Sequence, residues 1–195
     1  MSIEDVNLVL DVFKQLSATY PAKFDLDFTC DLKSFSVFEK ESVDIDGPFI
    51  KIETAATSFY LDFVGVAYNL GSRYSSGSSS EYQPWGIIDL KKDYGHVLIR
   101  PETFLDKVLE LMHPIELDFP DDPEFSKKFY VLTDDSMKTS LLLSSSFKDA
   151  IKEITIKDFM IEILERRLII GNKKKIDVEA CIDIVNFLAK ISKIK

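Results

Sequence analysis

The sequence predicts a single α+β domain over residues 1–195, in which helices pack on one face of a single antiparallel, twisted sheet and a helix stands at each terminus. Strand-type alternation fills most of the region between two helical ends, and the connections between the first strands are too short for crossover helices. A chain of 195 residues can bury one sizeable core, and 46% hydrophobic with 29% charged residues is the balance of a folded globular domain.

The first predicted element is an N-terminal helix over residues 1–21. Ser2 is in the position of an N-cap, Asp5 is the third helical residue, and Pro21 ends the helix. Helical spacing predicts that its buried side consists of Ile3, Val6, Leu10, Phe13 and Ser17, widened by Leu8, Val12 and Leu16. A helix with this much apolar surface must pack on another element, and the following sheet is the simplest partner.

Strand patterns begin at residue 24. The segment FDLDFTC alternates apolar and polar residues, which predicts a half-buried strand over residues 24–30. Its apolar face would consist of Phe24, Leu26, Phe28 and Cys30. FSVFEKE (35–41), FIKIETA (49–55) and FYLDFVGVAY (59–68) continue in strand character, and DIDGP (44–48) indicates a turn.

The stretch GSRYSSGSSSEYQPWG, residues 71–86, is rich in serine and glycine. It predicts a mobile hairpin loop over residues 71–84, because these side chains offer no apolar area against an ordering entropy of about 1–2 kcal/mol per residue. A phosphate-binding loop is excluded, since Gly71 and Gly77 are one residue too far apart and no lysine follows. Loops of this length are functional or disordered. If this one is a functional lid, its candidate ligand contacts are Tyr74, Tyr82 and Trp85.

Two β-β-α-β units are predicted after this loop. HVLIRPETFLDKVLEL (96–111) and TSLLLSSSFKDAIKEI (139–154) both indicate strand, break and helix, and each has strand-like runs before and after it. Without gaps they match at Leu98/Leu141, Phe104/Phe147, Asp106/Asp149 and Glu110/Glu153. Both a duplication and a chance match explain these identities. The two matched phenylalanines are expected to anchor their helices on the sheet.

The chain closes with a predicted hairpin and a helix. FMIEILERRLIIGN (159–172) is expected to turn near residues 165–167, and the helix begins at about Asp177. Its buried side is predicted to hold Val178, Cys181, Ile182, Val185 and Leu188. Because Cys30 and Cys181 both lie in apolar patterns, we expect two buried, unbridged thiols, as in a reducing compartment.

The charge distribution limits the partners. A formal net charge of −9 argues against nucleic-acid binding, which needs a basic surface. Residues 166–195 nevertheless hold eight basic against three acidic residues. A protein partner at this end would meet Lys173, Lys174, Lys175, Lys190, Lys193 and Lys195; the alternative is solvated lysines at a helix end. Acidic residues near the N-terminus and the lack of a long apolar run predict a cytoplasmic protein without a membrane span.

Few residue patterns suggest chemistry, and no cofactor is predicted. His96 and His113 have no paired-ligand spacing, and no nucleophile has a recognisable setting. The acidic residues between 118 and 135 could hold a hard cation, or they could be ordinary surface carboxylates. The candidate ligands are Asp118, Asp121, Asp122, Asp134 and Asp135. The favoured function is a non-catalytic module that binds a protein or a small ligand, and the alternative is a metal-dependent enzyme that uses this acidic group.

Residues 121–151 resemble an uncharacterised bacterial family, the domain-of-unknown-function 3137 type. The resemblance covers residues 121–190 and, more loosely, 59–120. It depends on Asp122, Pro123, Phe125, Phe129, Val131, Asp134, Asp135, Leu141, Leu143 and Phe147. It implies a β-hairpin and a closing apolar helix after these residues, and it supplies no catalytic residue. Members of that family often have membrane spans before this domain, and this chain shows none.

Overall fold

The computed structural model describes residues 1–39, 42–44, 49–72, 75–102 and 115–194, with the backbone alone for 42, 44, 68–72 and 75–80. The strands are β1 (Ala22–Asp25), β2 (Ser42–Asp44), β3 (Phe49–Glu53), β4 (Ser58–Ser72), β5 (Ser75–Asp89), β6 (His96–Pro101), β7 (Ile115–Glu116), β8 (Phe129–Thr133), β9 (Met160–Leu164) and β10 (Arg167–Gly171). The helices are α1 (Ile3–Ser17), α2 (Pro123–Lys128), α3 (Ser136–Leu142), α4 (Ser145–Lys152) and α5 (Val178–Ile191). The predicted α+β class, with one antiparallel sheet and helices at both termini, is confirmed.

The described strands form one sheet in the order β1-β3-β4-β5-β10-β9-β6-β8-β7, and β2 pairs with β4. Every pairing is antiparallel. Strands β1 to β5 make one half of the sheet and β6 to β8 the other. The C-terminal hairpin β9–β10, which the sequence predicts, lies between these halves and joins β5 to β6.

The two faces of the sheet are covered differently. On the helix face, α1, α2, α4 and α5 pack over side chains such as Phe63, Ile99 and Ile170. On the opposite face, residues 28–39, which we call the strap, cover Trp85, Ile87 and other apolar side chains. The strap contains two short 3-10 turns, Leu32–Ser34 and Ser36–Phe38.

Two strands that the sequence predicts in and before the strap differ from the structure. The strand predicted over residues 24–30 ends at Asp25, whose carboxylate accepts hydrogen bonds from the backbone N–H groups of Asp27 and Phe28 and turns the chain away. Leu26 is consequently 85% exposed. The strand predicted over residues 35–41 is wrong for residues 36–38, which form a 3-10 turn, and residues 40–41 lie outside the described part. A buried carboxylate from β9 accepts the N–H groups of residues 36 and 37, which a sheet ladder would otherwise use. The turn predicted over residues 44–48 lies largely outside the described residues.

Helix α1 has the predicted capping box, since the Ser2 hydroxyl accepts from the Asp5 N–H and the Asp5 carboxylate accepts from the Ser2 N–H. It ends at Ser17, before the predicted end, because the N–H groups of residues 18–20 bond back into its last turn. The predicted buried side is wrong at four positions, which are exposed: Ile3, Val6, Leu10 and Ser17. The buried side consists of Asp5, Val9, Val12 and Leu16.

The predicted loop over residues 71–84 is largely paired strand. The β4–β5 ladder continues to the pair Ser72 and Ser75, and residues 73–74 at the tip lie outside the described part. Backbone hydrogen bonds of a ladder do not depend on apolar side chains, so serine and glycine are accommodated there. We call the described residues 71–72 and 75–84 the β4–β5 arm, and the mobility of this arm stays a prediction.

The second predicted β-β-α-β unit also differs from the structure, since its first segment is helical. Residues 139–143, predicted as a strand, lie mostly in α3, because the Asp135 carboxylate caps that helix by accepting the N–H groups of Met137 and Lys138. Leu141 is therefore 74% exposed whereas Leu98 is buried in β6, and the proposed equivalence of these two residues is wrong. The helix predicted in the first unit, with Phe104, falls on residues outside the described ranges.

The predicted C-terminal helix is present, although Val178 and Ile182 of its predicted buried side are only half-buried. Asp177 caps α5 by accepting the N–H of Ala180, and Cys181 is buried against the sheet. Gly86 lets α5 approach β5 closely, since a Cβ there would lie 2.5 Å from Ile184 Cγ2. Both cysteines are free and buried, as predicted. Among the described residues, no helix combines the length and apolar character that a bilayer crossing requires.

Candidate functional site

A cleft of about 240 Å³ opens on the helix face where the ends of four structural units meet. Its sides come from the β3–β4 turn, the end of β5 with the turn that follows, the α3–α4 connection, and the end of α5. The volume lies below the range of about 300–1,000 Å³ that is usual for drug-sized ligands, so the cleft suits a small molecule.

The walls of the cleft are apolar. Ile88, Leu142, Phe147 and Ile191 line it, and each is almost fully buried. Phe147 is fixed by an edge-on contact with Phe187 of α5, with ring centroids 6.3 Å apart. The expected anchoring role of Phe147 is consistent with this burial, because its ring joins α4 to the helix layer over the sheet.

The rim combines an exposed apolar side chain with polar groups. Leu141 is 74% exposed and lines the cleft, which leaves its side chain available to a ligand. The hydroxyl of Ser144, the N-cap of α4, makes no capping hydrogen bond. Tyr94 lines the cleft and is half-buried. Small sites of this kind orient their ligands through a few such polar groups on an apolar wall.

The charge at the mouth of the cleft is positive, although the whole chain is acidic. Lys91 and Lys92 line it, both are exposed, and neither makes an ion pair with any residue that the structure describes. Asp89 also lines the cleft, but Arg167 holds its carboxylate through two hydrogen bonds of 2.8 and 3.2 Å. Since that carboxylate is already paired, the lysines determine the local potential.

The aromatic candidates from the sequence do not lie in this cleft. Trp85 is fully buried under the strap, where its ring contacts Phe38 edge-on, and its indole N–H has no hydrogen-bond partner among the described residues. Gly171 makes room for that ring, because a Cβ there would lie 2.5 Å from Trp85 Cδ2. Tyr82 is half-buried against the helix-face core. Tyr74 lies outside the described residues.

The acidic candidates serve as helix caps and ion-pair partners. Asp122 caps α2 and contacts Lys152, and Asp121 contacts Lys148 at 2.8 Å. Their hydrogen bonds with these lysines hold the pKa values of both carboxylates below the usual range. Asp134 accepts the backbone N–H of His96, Asp135 caps α3, and Asp118 is exposed. The described residues contain no group of three or more histidine, cysteine or acidic side chains that is arranged to hold a metal ion.

The basic C-terminal end is partly paired with the chain's own acids. Lys174 contacts Asp158 at 2.8 Å and Lys175 contacts Asp5 at 3.4 Å. Lys190 forms an ion pair with Glu153. Lys195 lies outside the described residues. The pairs of Lys174 and Lys190 are exposed on both sides and contribute about 0–1 kcal/mol each, so these two lysines can exchange partners, whereas Asp5 is buried.

Two buried acids were missed by the sequence reasoning. Asp62 of β4 and Glu162 of β9 are fully buried under the strap. Burial raises the pKa of Asp62 to about 8, although the Phe63 N–H, which donates to this carboxylate, acts in the opposite direction. Glu162 accepts hydrogen bonds from the Ser36 hydroxyl and from two strap N–H groups. Each is a single acid in an otherwise apolar strand, and that is the signal that would have revealed it.

Comparison of the chain with family models, with curated proteins and with solved structures gives no significant match in any of the three. The resemblance over residues 121–190 stays a prediction. The cleft is therefore identified as the candidate site from its geometry alone.

Proposed function

We propose that this protein is a non-catalytic module that binds a small amphipathic anion, such as a carboxylate with an aliphatic body, in the cleft between β5, α4 and α5. The observation that carries the proposal is the combination of apolar walls with two lysines at the mouth that have no ion-pair partner in the described chain. An apolar body would bury against Leu142, Phe147 and Ile191, and its charged end would lie near Lys91 and Lys92.

The chemistry of the cleft favours binding over catalysis. The carboxylate that lines it, on Asp89, is held by Arg167 and is a poor general base. His96 lies on the other face of the sheet, where its ring is bonded to Glu162. No pair of groups within hydrogen-bonding distance that could transfer a proton lines the described part of the cleft.

We also place this module in a reducing compartment, as in the cytoplasm. Cys30 and Cys181 are free and buried, and burial raises the pKa of both thiols, so neither is poised to react. A fraction of the protein that carries a disulfide after purification from its native source would contradict this placement.

The test is calorimetric titration with decanoate and with decanol, two probes that share an aliphatic body and differ in charge. We expect decanoate to bind at least about tenfold more tightly than decanol, and the Lys91→Ala/Lys92→Ala double variant to lose about tenfold in decanoate affinity. The matched control is Lys33→Ala/Lys127→Ala, which removes two exposed lysines away from the cleft. The absence of decanoate binding, or an equal loss in the control, would overturn the proposal.

A further inference from the structure

Exposed apolar side chains are concentrated at the N-terminal end of the chain. Within the described residues nine large hydrophobic side chains are exposed, and six of them lie in residues 1–26. These six are Met1, Ile3, Val6, Leu10, Phe24 and Leu26. Single exposed hydrophobics are normal on any protein, whereas a cluster marks an interaction surface.

The cluster has the geometry of a helical stripe. Ile3, Val6 and Leu10 follow the spacing i, i+3 and i+7, and they are 80%, 41% and 50% exposed. This stripe is distinct from the side of α1 that packs against the rest of the protein, which contains Val9 and Leu16. Helix α1 therefore carries two apolar sides, and only one of them is buried.

The stripe continues onto the edge of the sheet. Phe13, three residues after Leu10, stacks on Phe24 of β1 with ring centroids 4.4 Å apart. Among the described strands β1 is an edge strand, because it pairs only with β3. We call the continuous area formed by Ile3, Val6, Leu10, Phe13 and Phe24 the N-terminal apolar surface.

Carboxylates flank this surface on both sides. Glu4 and Asp11 lie on α1 beside the stripe, and Asp25 and Asp27 follow Phe24. None of the four forms an ion pair with a described residue. Six acidic residues and two lysines lie in residues 1–31, and one of the lysines, Lys23, is already paired with Glu53 at 3.1 Å. The other lysine, Lys14, follows Leu10 by one turn of α1 and offsets part of this charge. Because the acidic residues exceed the lysines by four, the border of the apolar stripe keeps a net negative charge.

We propose that the N-terminal apolar surface docks an amphipathic helix of a partner protein that carries lysine or arginine beside its apolar side. Apolar residues of such a helix at i, i+4 and i+7 would contact Ile3, Val6 and Leu10, and its cations would meet Glu4 and Asp11. A second copy of this chain would bring the same carboxylates face to face, and an anionic bilayer would be repelled by them. The basic helix is the occupant whose charge complements the border.

The probe for this proposal is a labelled helical peptide of leucine and lysine heptads, whose binding is followed by fluorescence anisotropy. The comparison peptide has the same leucines with glutamate in place of lysine. We expect the basic peptide to bind at least about tenfold more tightly than the acidic one, with an affinity that falls as salt is added.

Two variants locate the binding. Val6→Ser/Leu10→Ser changes only exposed side chains, so the fold is retained, and it should weaken the basic peptide by about tenfold or more. Ile115→Ser/Met137→Ser is the matched control, because it removes two exposed hydrophobics elsewhere and should leave the affinity unchanged. Glu4→Gln/Asp11→Asn should weaken the basic peptide and reduce its salt dependence, whereas Glu81→Gln/Asp118→Asn, at exposed acids elsewhere, should not.

Three results would overturn the proposal. The first is a basic peptide that does not bind or that binds the surface variant and its control equally. The second is a dimer in sedimentation that Val6→Ser/Leu10→Ser dissociates, which would assign the surface to a second copy. The third is binding to phosphatidylglycerol vesicles that the same variant abolishes, which would assign it to a membrane. None of these measurements involves the cleft, so the outcome is independent of the proposed ligand.

Discussion

The buried carboxyl of Asp62 shows how one residue can make the stability of a protein depend on pH. One oxygen accepts the Phe63 N–H at 2.7 Å, and the other has no hydrogen-bond partner in the described part of the chain. Desolvation dominates that single hydrogen bond and raises the pKa of the carboxyl to about 8. At neutral pH the carboxyl of Asp62 is therefore protonated, so no unpaired charge is buried among the apolar side chains under the strap.

The free energy of unfolding should consequently fall as pH rises. An unfolded aspartate has a pKa of about 3.9, so between about pH 4 and pH 8 the unfolded state binds fewer protons than the folded state. The stabilisation is complete below pH 4 and is lost by about pH 8, with a slope of at most about 1.4 kcal/mol per pH unit. Urea unfolding of Asp62→Asn from pH 5 to pH 9 should show a much smaller slope and a more stable protein at pH 9. The exposed control Asp118→Asn should keep the pH slope of the unchanged protein. If the slope also persists in Asp62→Asn, groups other than Asp62 cause it.

Glu162 is the residue that holds the strap on the sheet. Its carboxylate accepts the N–H of Ser36 at 2.8 Å and of Val37 at 2.9 Å, and His96 Nε2 lies 2.5 Å from the same side chain. Removing one partner from such a buried network leaves the others unsatisfied, so Glu162→Gln should destabilise the protein by about 3–5 kcal/mol.

The strap should detach in that variant before the sheet unfolds. Trp85, the single tryptophan, lies under the strap beside Phe38, so its quenching by acrylamide reports on this contact. Glu162→Gln should raise the quenching while the far-ultraviolet circular dichroism stays native. Ser36→Ala, which loses only the hydroxyl contact, should cost about 1 kcal/mol and change the quenching little. Quenching that rises only together with loss of secondary structure would show that strap and sheet unfold as one unit.

At the scale of elements, the contact between α5 and β5 depends on a missing side chain. A Cβ on Gly86 would lie 2.5 Å from Ile184 Cγ2 and 2.7 Å from Leu188 Cδ1. We expect Gly86→Ala to destabilise the protein by about 1–3 kcal/mol, because α5 or its side chains must move outward. Combining it with Ile184→Ala should cost less than the sum of the two single changes in urea unfolding. Strict additivity would mean that the new methyl group is accommodated elsewhere.

The β4–β5 arm makes a second prediction at this scale. Paired backbone should protect alternate amides of residues 76–82 from hydrogen exchange, in the register that places Ser76 opposite Gly71. Millisecond exchange at all of these amides would instead favour the mobile loop that the composition predicts. A two-stranded ribbon is marginally stable by itself, so we expect the protection of these amides to be well below that of Ile87 and Ile88 in the sheet.

At the scale of the whole molecule, the sequence could predict the elements whose local signals agree with their packing. Capping residues located both terminal helices, and alternation or apolar runs located β3, β4, β9 and β10. The strap was mistaken for strands because buried 3-10 turns also place apolar and polar residues alternately. The exposed side of α1 was mistaken for its buried side because periodicity reports an apolar stripe without reporting what covers it. The cleft could not be predicted, since it is formed by the ends of elements that are distant in sequence.

The position of the C-terminal hairpin has a consequence for synthesis on the ribosome. Strands β5 and β6 follow one another in the chain, yet each pairs on its inner edge with β10 or β9, which are made last among the strands. Until residues 160–171 have emerged, the two half-sheets have open hydrogen-bonding edges and lack the strands that will join them. The nascent chain is therefore most vulnerable to misassembly late in translation, and closure of the sheet must follow the synthesis of its last hairpin.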